Sequence, residues 1–203
     1  YGIDCSYERT GVIDVAHTGH PASYLDELHE EYTILQRMGQ RVTWLDADAM
    51  RAEVNSPTYT GGLIRSDRAS LVDPARLAWG LKRVAEELGV RIYEHSKATD
   101  IAVDGVGMIV TTPLANVRCR KVVLGTNADR PLLKRIRQYM VPVYDYCLIT
   151  EPLTDAQMAS IGWERRQGLS DITNQFHYYR LTDDNRILGG GYDAIYYWGS
   201  KTS

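Results

Sequence analysis

The stretch at residues 71–94, LVDPARLAWGLKRVAEELGVRIYE, constrains the fold of this 203-residue chain more than any other, because it spells out a helix start, a helix stop and an extended run. Asp73 can accept hydrogen bonds from first-turn N–H groups, and Pro74 takes the first helical position, where a missing N–H costs nothing. Leu77, Ala78, Leu81, Val84, Ala85 and Leu88 recur on one face of a 3.6-residue helix, with Lys82, Arg83, Glu86 and Glu87 turned away from it. Gly80 inside this helix costs about 1 kcal/mol relative to Ala, which a close approach to a neighbouring backbone accounts for. Gly89 supplies a left-handed stop, and Val90 and Ile92 then read as a short strand. The stretch is half of an α/β layer.

The other elements follow from similar signals. An Arg9-Thr10-Gly11 turn between two extended runs predicts a hairpin over 5–15. Ser23 and Asp26 form a capping-box pattern for a helix with Leu25, Leu28, Tyr32, Leu35 and Met38 on one face, ended by Gly39. A strand at 41–45, a short helix capped by Asp46 and running through Glu53, and an extended segment at 58–66 come next. The paired Gly61-Gly62 in that segment permits a bulge or a close backbone approach. Runs at 98–103, 108–112 and 117–119, separated by turn residues, predict a three-stranded meander. Val122-Val123-Leu124 reads as a strand covered on both faces, ending in Gly125-Thr126-Asn127-Ala128. Residues 139–150 are extended. Thr154 and Gln157 make a capping box for a helix ending at Gly162, and 174–181 pairs with 186–191 as a hairpin.

A net charge of −3 and a pI near 6.0 give no electrostatic footprint for nucleic acid, and the basic cluster at 134–137 reads as a solvated helix face. No run approaches the roughly 18 apolar residues of a membrane span, and the first residues lack the basic and apolar regions of a signal peptide, so the expected compartment is the cytoplasm. Cys5, Cys119 and Cys147 are widely spaced and odd in number, which argues for reduced thiols. His17 and His20 lie three apart, but Gly19 and Pro21 spoil a helix there and no carboxylate or cysteine cluster completes a metal site.

Taken together, several of these stretches resemble the FAD-dependent oxidoreductases of the D-amino acid oxidase family. They are Val72-Asp73-Pro74, Gly89-Val90 with Ile92-Tyr93-Glu94, the VVLGTNA run at 122–128, Val141-Pro142-Val143 before Thr150-Glu151-Pro152, and Tyr179-Arg180-Leu181-Thr182 followed by Arg186-Ile187-Leu188-Gly189-Gly190. In order and spacing they look most like the branch containing glycine oxidase, sarcosine oxidase and the bacterial polyamine-pathway oxidases. The resemblance implies an interleaved α+β and α/β architecture in two parts: a mixed substrate-domain sheet with helices, and part of a Rossmann-like FAD-binding domain with a β-meander. Substrate-domain pieces would then occupy 1–66 and 139–203, with the partial FAD-binding domain at 67–138. The family's GxGxxG, which brings a pyrophosphate to a helix N-terminus, does not occur in these residues. The expectation is a central portion of a longer enzyme.

The resemblance also implies a site. Ala98 would offer backbone bonds to the adenine of FAD, and Gly125, Thr126, Asn127 and Ala128 would lie near the cofactor; simple packing is the plainer role for Ala98. Tyr179 aligns with the family's site tyrosine. Arg180 would grip a substrate carboxylate with its planar fork, or else pair with Asp183 or Asp184. Asp193 falls where related oxidases place a polar residue over the flavin, and is otherwise a turn aspartate. The implied reaction is oxidation of the C–N bond of an amine or amino acid by hydride transfer to FAD. A catalytically silent binding module and an alcohol dehydrogenase of the glycerol 3-phosphate type are the alternatives. The implied partner is a small-molecule amine or amino acid, with no nucleic acid and no membrane span, and homo-oligomerisation is left open.

Overall fold

The computed structural model describes residues 1–67, 69–127, 129, 132–140, 143 and 145–192, without the side chain of 137. The chain divides into two compact units, Tyr1–Leu81 with Tyr144–Ser203, and Lys82–Val143.

The first unit is built on a seven-stranded mixed sheet in the order β2-β3-β1-β8-β9-β10-β7. Its strands are β1 (Val12–His17), β2 (Val42–Asp46), β3 (Tyr59–Arg65), β7 (Tyr146–Ile149), β8 (Gly168–Asp171), β9 (His177–Leu181) and β10 (Ile187–Gly191). Neighbouring strands are antiparallel except for β1 and β8. Residues directly opposite one another across a sheet share a face, so the registers trace each face from β3 to β7. One face carries Leu63, Asp14, Ser170, Tyr178, Gly190 and Cys147. The other carries Ile64, Ile13, Leu169, Tyr179, Gly189 and Leu148.

Helix α1 (Ala22–Arg37) covers the first of these faces, its Leu28 and Leu35 buried with Ala16 and Leu63. The second face holds the larger core. Ile13, Val15, Ile64, Leu169 and Leu181 meet Met50 of α2 (Ala47–Glu53) there, together with Trp163, while Met158 and Ile161 of α4 (Asp155–Ile161) pack against the cluster. Asp46 caps α2 by accepting from Ala49 N at 2.9 Å. Thr154 and Gln157 form the expected capping box on α4, and Gly162 ends it in the left-handed region. Gly62 answers to packing: a Cβ there would lie 2.8 Å from Met50 Sδ and 3.1 Å from Ile13 Cγ2.

Several expectations need correction. No hairpin forms over 5–15, because Glu8 pairs with Leu71 while β1 pairs with β3 and β8, so the chain bends at Gly11 (φ +75°) instead of folding back. Helix α1 starts after Pro21 with no side-chain cap, and Ser23 lies within its first turn. Strand β8 was not foreseen; its four residues, GLSD, lack an apolar run and are strand only because β1 and β9 flank them.

Helix α3 (Pro74–Glu87) begins as expected, with Asp73 Oδ1 accepting from Ala75 N at 2.9 Å and Arg76 N at 3.0 Å. Gly80 does admit a close approach, but to the Ile3 side chain and not to backbone. Of its apolar face only Val84 is buried, and Leu81 and Leu88 are exposed.

In the second unit β4 (Asp100–Asp104), β5 (Gly107–Thr111) and β6 (Asn116–Cys119) make the expected antiparallel meander. Residues 90–93 and 122–124 are not strands, and Val123 is almost fully exposed. A strand needs a ladder partner for its backbone groups, and neither run has one among the described residues. Lys134–Tyr139 is a 3-10 helix with Lys134 and Arg135 exposed, in line with a solvated basic face.

Candidate functional site

The β9–β10 hairpin concentrates the chemistry. Tyr179 and Arg180 are adjacent on β9 and therefore point to opposite faces of the sheet, so one cavity cannot be lined directly by both. Tyr179 lies over the larger core, against which it packs, and lines a concavity of about 480 Å³ with Tyr146, Leu148, His177 and Gly189. Arg180 lies on the other side, in a second concavity of about 480 Å³ shared with Ser6, Asp73, Arg76, Asp183 and Leu188.

The three glycines of β10 are there for the rings of β9. A Cβ at Gly189 would lie 3.0 Å from Tyr179 Cδ1, and one at Gly191 2.5 Å from His177 Cδ2. On the opposite face, a Cβ at Gly190 would collide with Cζ and the hydroxyl of Tyr178. The rings thus lie flat across the neighbouring strand, with the glycine backbone as their floor.

On the Tyr179 face, Asp171 is buried at the end of β8 and accepts from His177 Nδ1 at 2.8 Å, while its other oxygen accepts from Thr173 N and Oγ1. Burial pushes this carboxyl up, but the bonds from His177 and Thr173 outweigh it and hold Asp171 below its ordinary range. His17 and His20 close the cluster, with ligand-type atoms of His17, His20 and Asp171 all within 4.8 Å of one another. Sequence spacing missed this, because Asp171 comes from a strand distant in the chain. Both imidazoles nevertheless use Nδ1 to accept from backbone: Gly19 N to His17 at 3.1 Å, and His17 N to His20 at 3.3 Å. A neutral imidazole that accepts at Nδ1 carries its proton on Nε2, so these rings present N–H donors and not metal-binding lone pairs. His20 Nε2 is buried with no hydrogen-bond partner among the described residues.

On the Arg180 face, the guanidinium is tied to main chain: Nη1 donates to Val72 O at 2.6 Å and Nε to Leu181 O at 3.4 Å. Neither aspartate considered as its partner holds it, since Asp183 accepts from Ser6 and Asp184 accepts from Thr182 and Arg186. The residue not foreseen on this face is Tyr178. Its hydroxyl donates to Asp145 Oδ2 at 2.6 Å and lies 3.4 Å from Cys147 Sγ, and these contacts, that with Asp145 first, drive its phenol well above the usual range. The signal was present in the hairpin register, which sets Tyr178 opposite Gly190.

In the second unit Ala98 is half-buried just before β4, and Gly125, Thr126 and Asn127 are exposed. Asn127 adopts φ +47°, within a turn closed by Asp129 N donating to Thr126 O at 3.1 Å. Ala128, Val141, Pro142 and Asp193 lie outside the described residues.

Comparison with known proteins agrees with this architecture. Glycine oxidase from Geobacillus kaustophilus superposes with a TM-score of 0.72 at 20% identity, covering 98% of this chain and 53% of that one. L-proline dehydrogenase from P. horikoshii gives 0.68 at 15% identity, covering 98% and 52%. In sequence the chain is 32% identical over 198 residues to the gamma-glutamylputrescine oxidoreductase of Escherichia coli, and 29% identical over 198 residues to the probable oxidoreductase OrdL of Haemophilus influenzae. In both cases 94% of this chain is covered but only 44% of the relative, so the chain spans less than half the length of these relatives. The family model described as FAD dependent oxidoreductase matches residues 1–203 throughout, and the chain belongs to that family, DAO.

Proposed function

We propose that the protein containing this chain oxidises the C–N bond of an amine or amino acid, with FAD as the hydride acceptor. The observation that carries the reading is the open sheet face around β9, β10 and β7, where Tyr178 is fixed over Gly190 by Asp145 in a fold shared with amine and amino-acid oxidoreductases.

The residues of this chain fit part of what FAD requires. Gly125 has open space where a Cβ would be, and the exposed 125–127 turn leaves backbone accessible to a ligand. A pyrophosphate cradle is another matter. The triple glycine of β10 lies on a strand, and its space is filled by the rings of β9, so it does not meet the strand-to-helix context that phosphate binding needs. When bound, the flavin would supply the two-electron chemistry.

The chain's own contribution is orientation and dryness. The bond from Tyr178 fixes the Asp145 carboxylate as an acceptor beside the open face, and Ile149 and Leu188 supply apolar surface from which a bound substrate would displace water. The substrate would lose a hydride from carbon and a proton from nitrogen, giving an imine that water converts to a carbonyl compound and an amine or ammonia. The test is anaerobic mixing of the full-length protein with amines, amino acids and alcohols while flavin absorbance is followed. Bleaching by amines or amino acids is expected; bleaching by alcohols alone, or a protein that takes up no flavin, refutes the reading.

A further inference from the structure

We propose that the 17–20 turn, which joins β1 to α1, is an acid-released latch: the neutral imidazole of His20 holds it closed, and uptake of a proton by that ring opens it. The inference goes beyond the reaction proposed above and does not depend on it.

Helix α1 starts with no side-chain cap, so its entry is held by the turn itself. Where the β1–β3 register shifts between Ala16 and His17, His17 N donates to His20 Nδ1 at 3.3 Å. The imidazole thereby fastens the last residue of β1 to the residue before Pro21. The rings of His17 and His20 lie against each other with centroids 3.5 Å apart, and His17 Nδ1 is already taken by Gly19 N at 3.1 Å.

A second proton has no place on the seated His20 ring. At Nδ1 it would turn the acceptor for His17 N into a donor pointed at a donor. Nε2 keeps its own proton, buried and without an acceptor among the described residues. The imidazolium would then hold two N–H groups without acceptors, and an unsatisfied charged donor costs more than a neutral one. Swinging the ring into water satisfies both groups, but it releases His17 N and with it the turn.

The surroundings do not rescue the charge. Asp171 of β8 comes within 4.8 Å and its charge favours the imidazolium, yet its oxygens are engaged by His177 and Thr173. His17 on the turn and His177 on β9 both oppose a further positive charge. Tyr24 of α1 offers only a ring, 5.5 Å away between centroids, and Tyr59 of β3 sits opposite His17. Burial first, then the charge of His17, holds the His20 imidazole below its ordinary value of 6.5. A base whose pKa is lowered in the closed state favours closure above 6.5 and loses that contribution as pH falls toward the closed-state pKa. Over that window the opening constant rises by up to about tenfold per pH unit.

The test is hydrogen exchange followed by mass spectrometry on the full-length protein at pH 7.5 and pH 5.0, corrected for the intrinsic rate at each pH. Peptides over the 17–20 turn should open about tenfold more readily at pH 5.0, while β3 stays equally protected. His20→Asn keeps an acceptor oxygen near the position of Nδ1 but takes up no proton, so it should abolish the step whether or not that oxygen closes the turn. Equal protection of the wild-type turn at the two pH values, a step shared equally by β3, or a step that survives in His20→Asn overturns the latch. Flavin bleaching plays no part in this readout, so its failure and that of the oxidoreductase reading are distinguishable.

Discussion

Replacing Arg65 should expose an asymmetry in the ion cluster under α1. Arg65 Nε lies 2.5 Å from Asp14 Oδ2 and Nη2 lies 2.9 Å from Glu31 Oε1, with side-chain exposures of 16%, 19% and 47% for Arg65, Asp14 and Glu31. Burial pushes the Asp14 carboxyl above its usual range, although the hydrogen bond and charge of Arg65 pull it down. The ionised carboxylate is therefore a net cost that Arg65 mostly offsets. Arg65→Met keeps the packed stem but leaves Asp14 buried without its counter-ion, and should cost about 3 kcal/mol at neutral pH, the low end for breaking a buried pair because water still reaches both partners. With a urea dependence of about 2 kcal/mol per molar, the unfolding midpoint would fall by about 1.5 M. Asp14→Asn leaves the guanidinium paired with Glu31 and should cost under about 1 kcal/mol.

The pH dependence has a definite sign. A carboxyl whose folded pKa lies above its unfolded value of 3.8 contributes stability that is full below 3.8 and is lost as pH rises through the folded pKa. Without Arg65 that loss deepens, so the Arg65→Met deficit should grow from pH 4 to pH 8. Equal costs for the two variants, or a deficit that stays flat with pH, would refute the reasoning. Urea titrations followed by circular dichroism at each pH decide it.

Gly190→Ala should destabilise the hairpin by about 1–3 kcal/mol, an overpacking cost, because the new methyl meets Tyr178 Cε2 at 2.8 Å as well as the ring's far end; thermal melts measure the loss, and a wild-type melting temperature would show that the ring moves aside freely. Asp171→Asn concerns a carboxyl held below its usual range by bonds from His177 and Thr173, so its contribution is present above pH 3.8 and lost as pH falls through the folded pKa. The variant should be less stable than the wild type by about 1–3 kcal/mol at pH 7, and the gap should narrow toward pH 3 in the same melts.

What the sequence determined about this protein is what neighbours within a few residues can enforce. Asp73 and Pro74 start α3, Thr154 and Gln157 box the start of α4, Asp46 caps α2, and the 182–185 turn joins β9 to β10; each is a contact between residues close in the chain, and each is realised. The motif order across the chain likewise pointed to the family that the whole chain matches. Tertiary structure alone decided which extended runs are strands. GLSD at 168–171 became β8 because β1 and β9 flank it, whereas the apolar Val122-Val123-Leu124 stayed irregular for want of a ladder partner among the described residues.

The same divide runs through the site. Alternation along β9 was legible, so the opposite facing of Tyr179 and Arg180 could be read from the sequence. What holds each side chain could not, because the partners are remote. Arg180 is held by Val72, 108 residues away, and Tyr178 by Asp145, 33 residues away. His177 by contrast is held by Asp171, six residues back but on a strand that local signals did not announce. A hydrogen bond across such a distance depends on register, which the burial of one face by helices and core fixes only when the whole sheet has assembled.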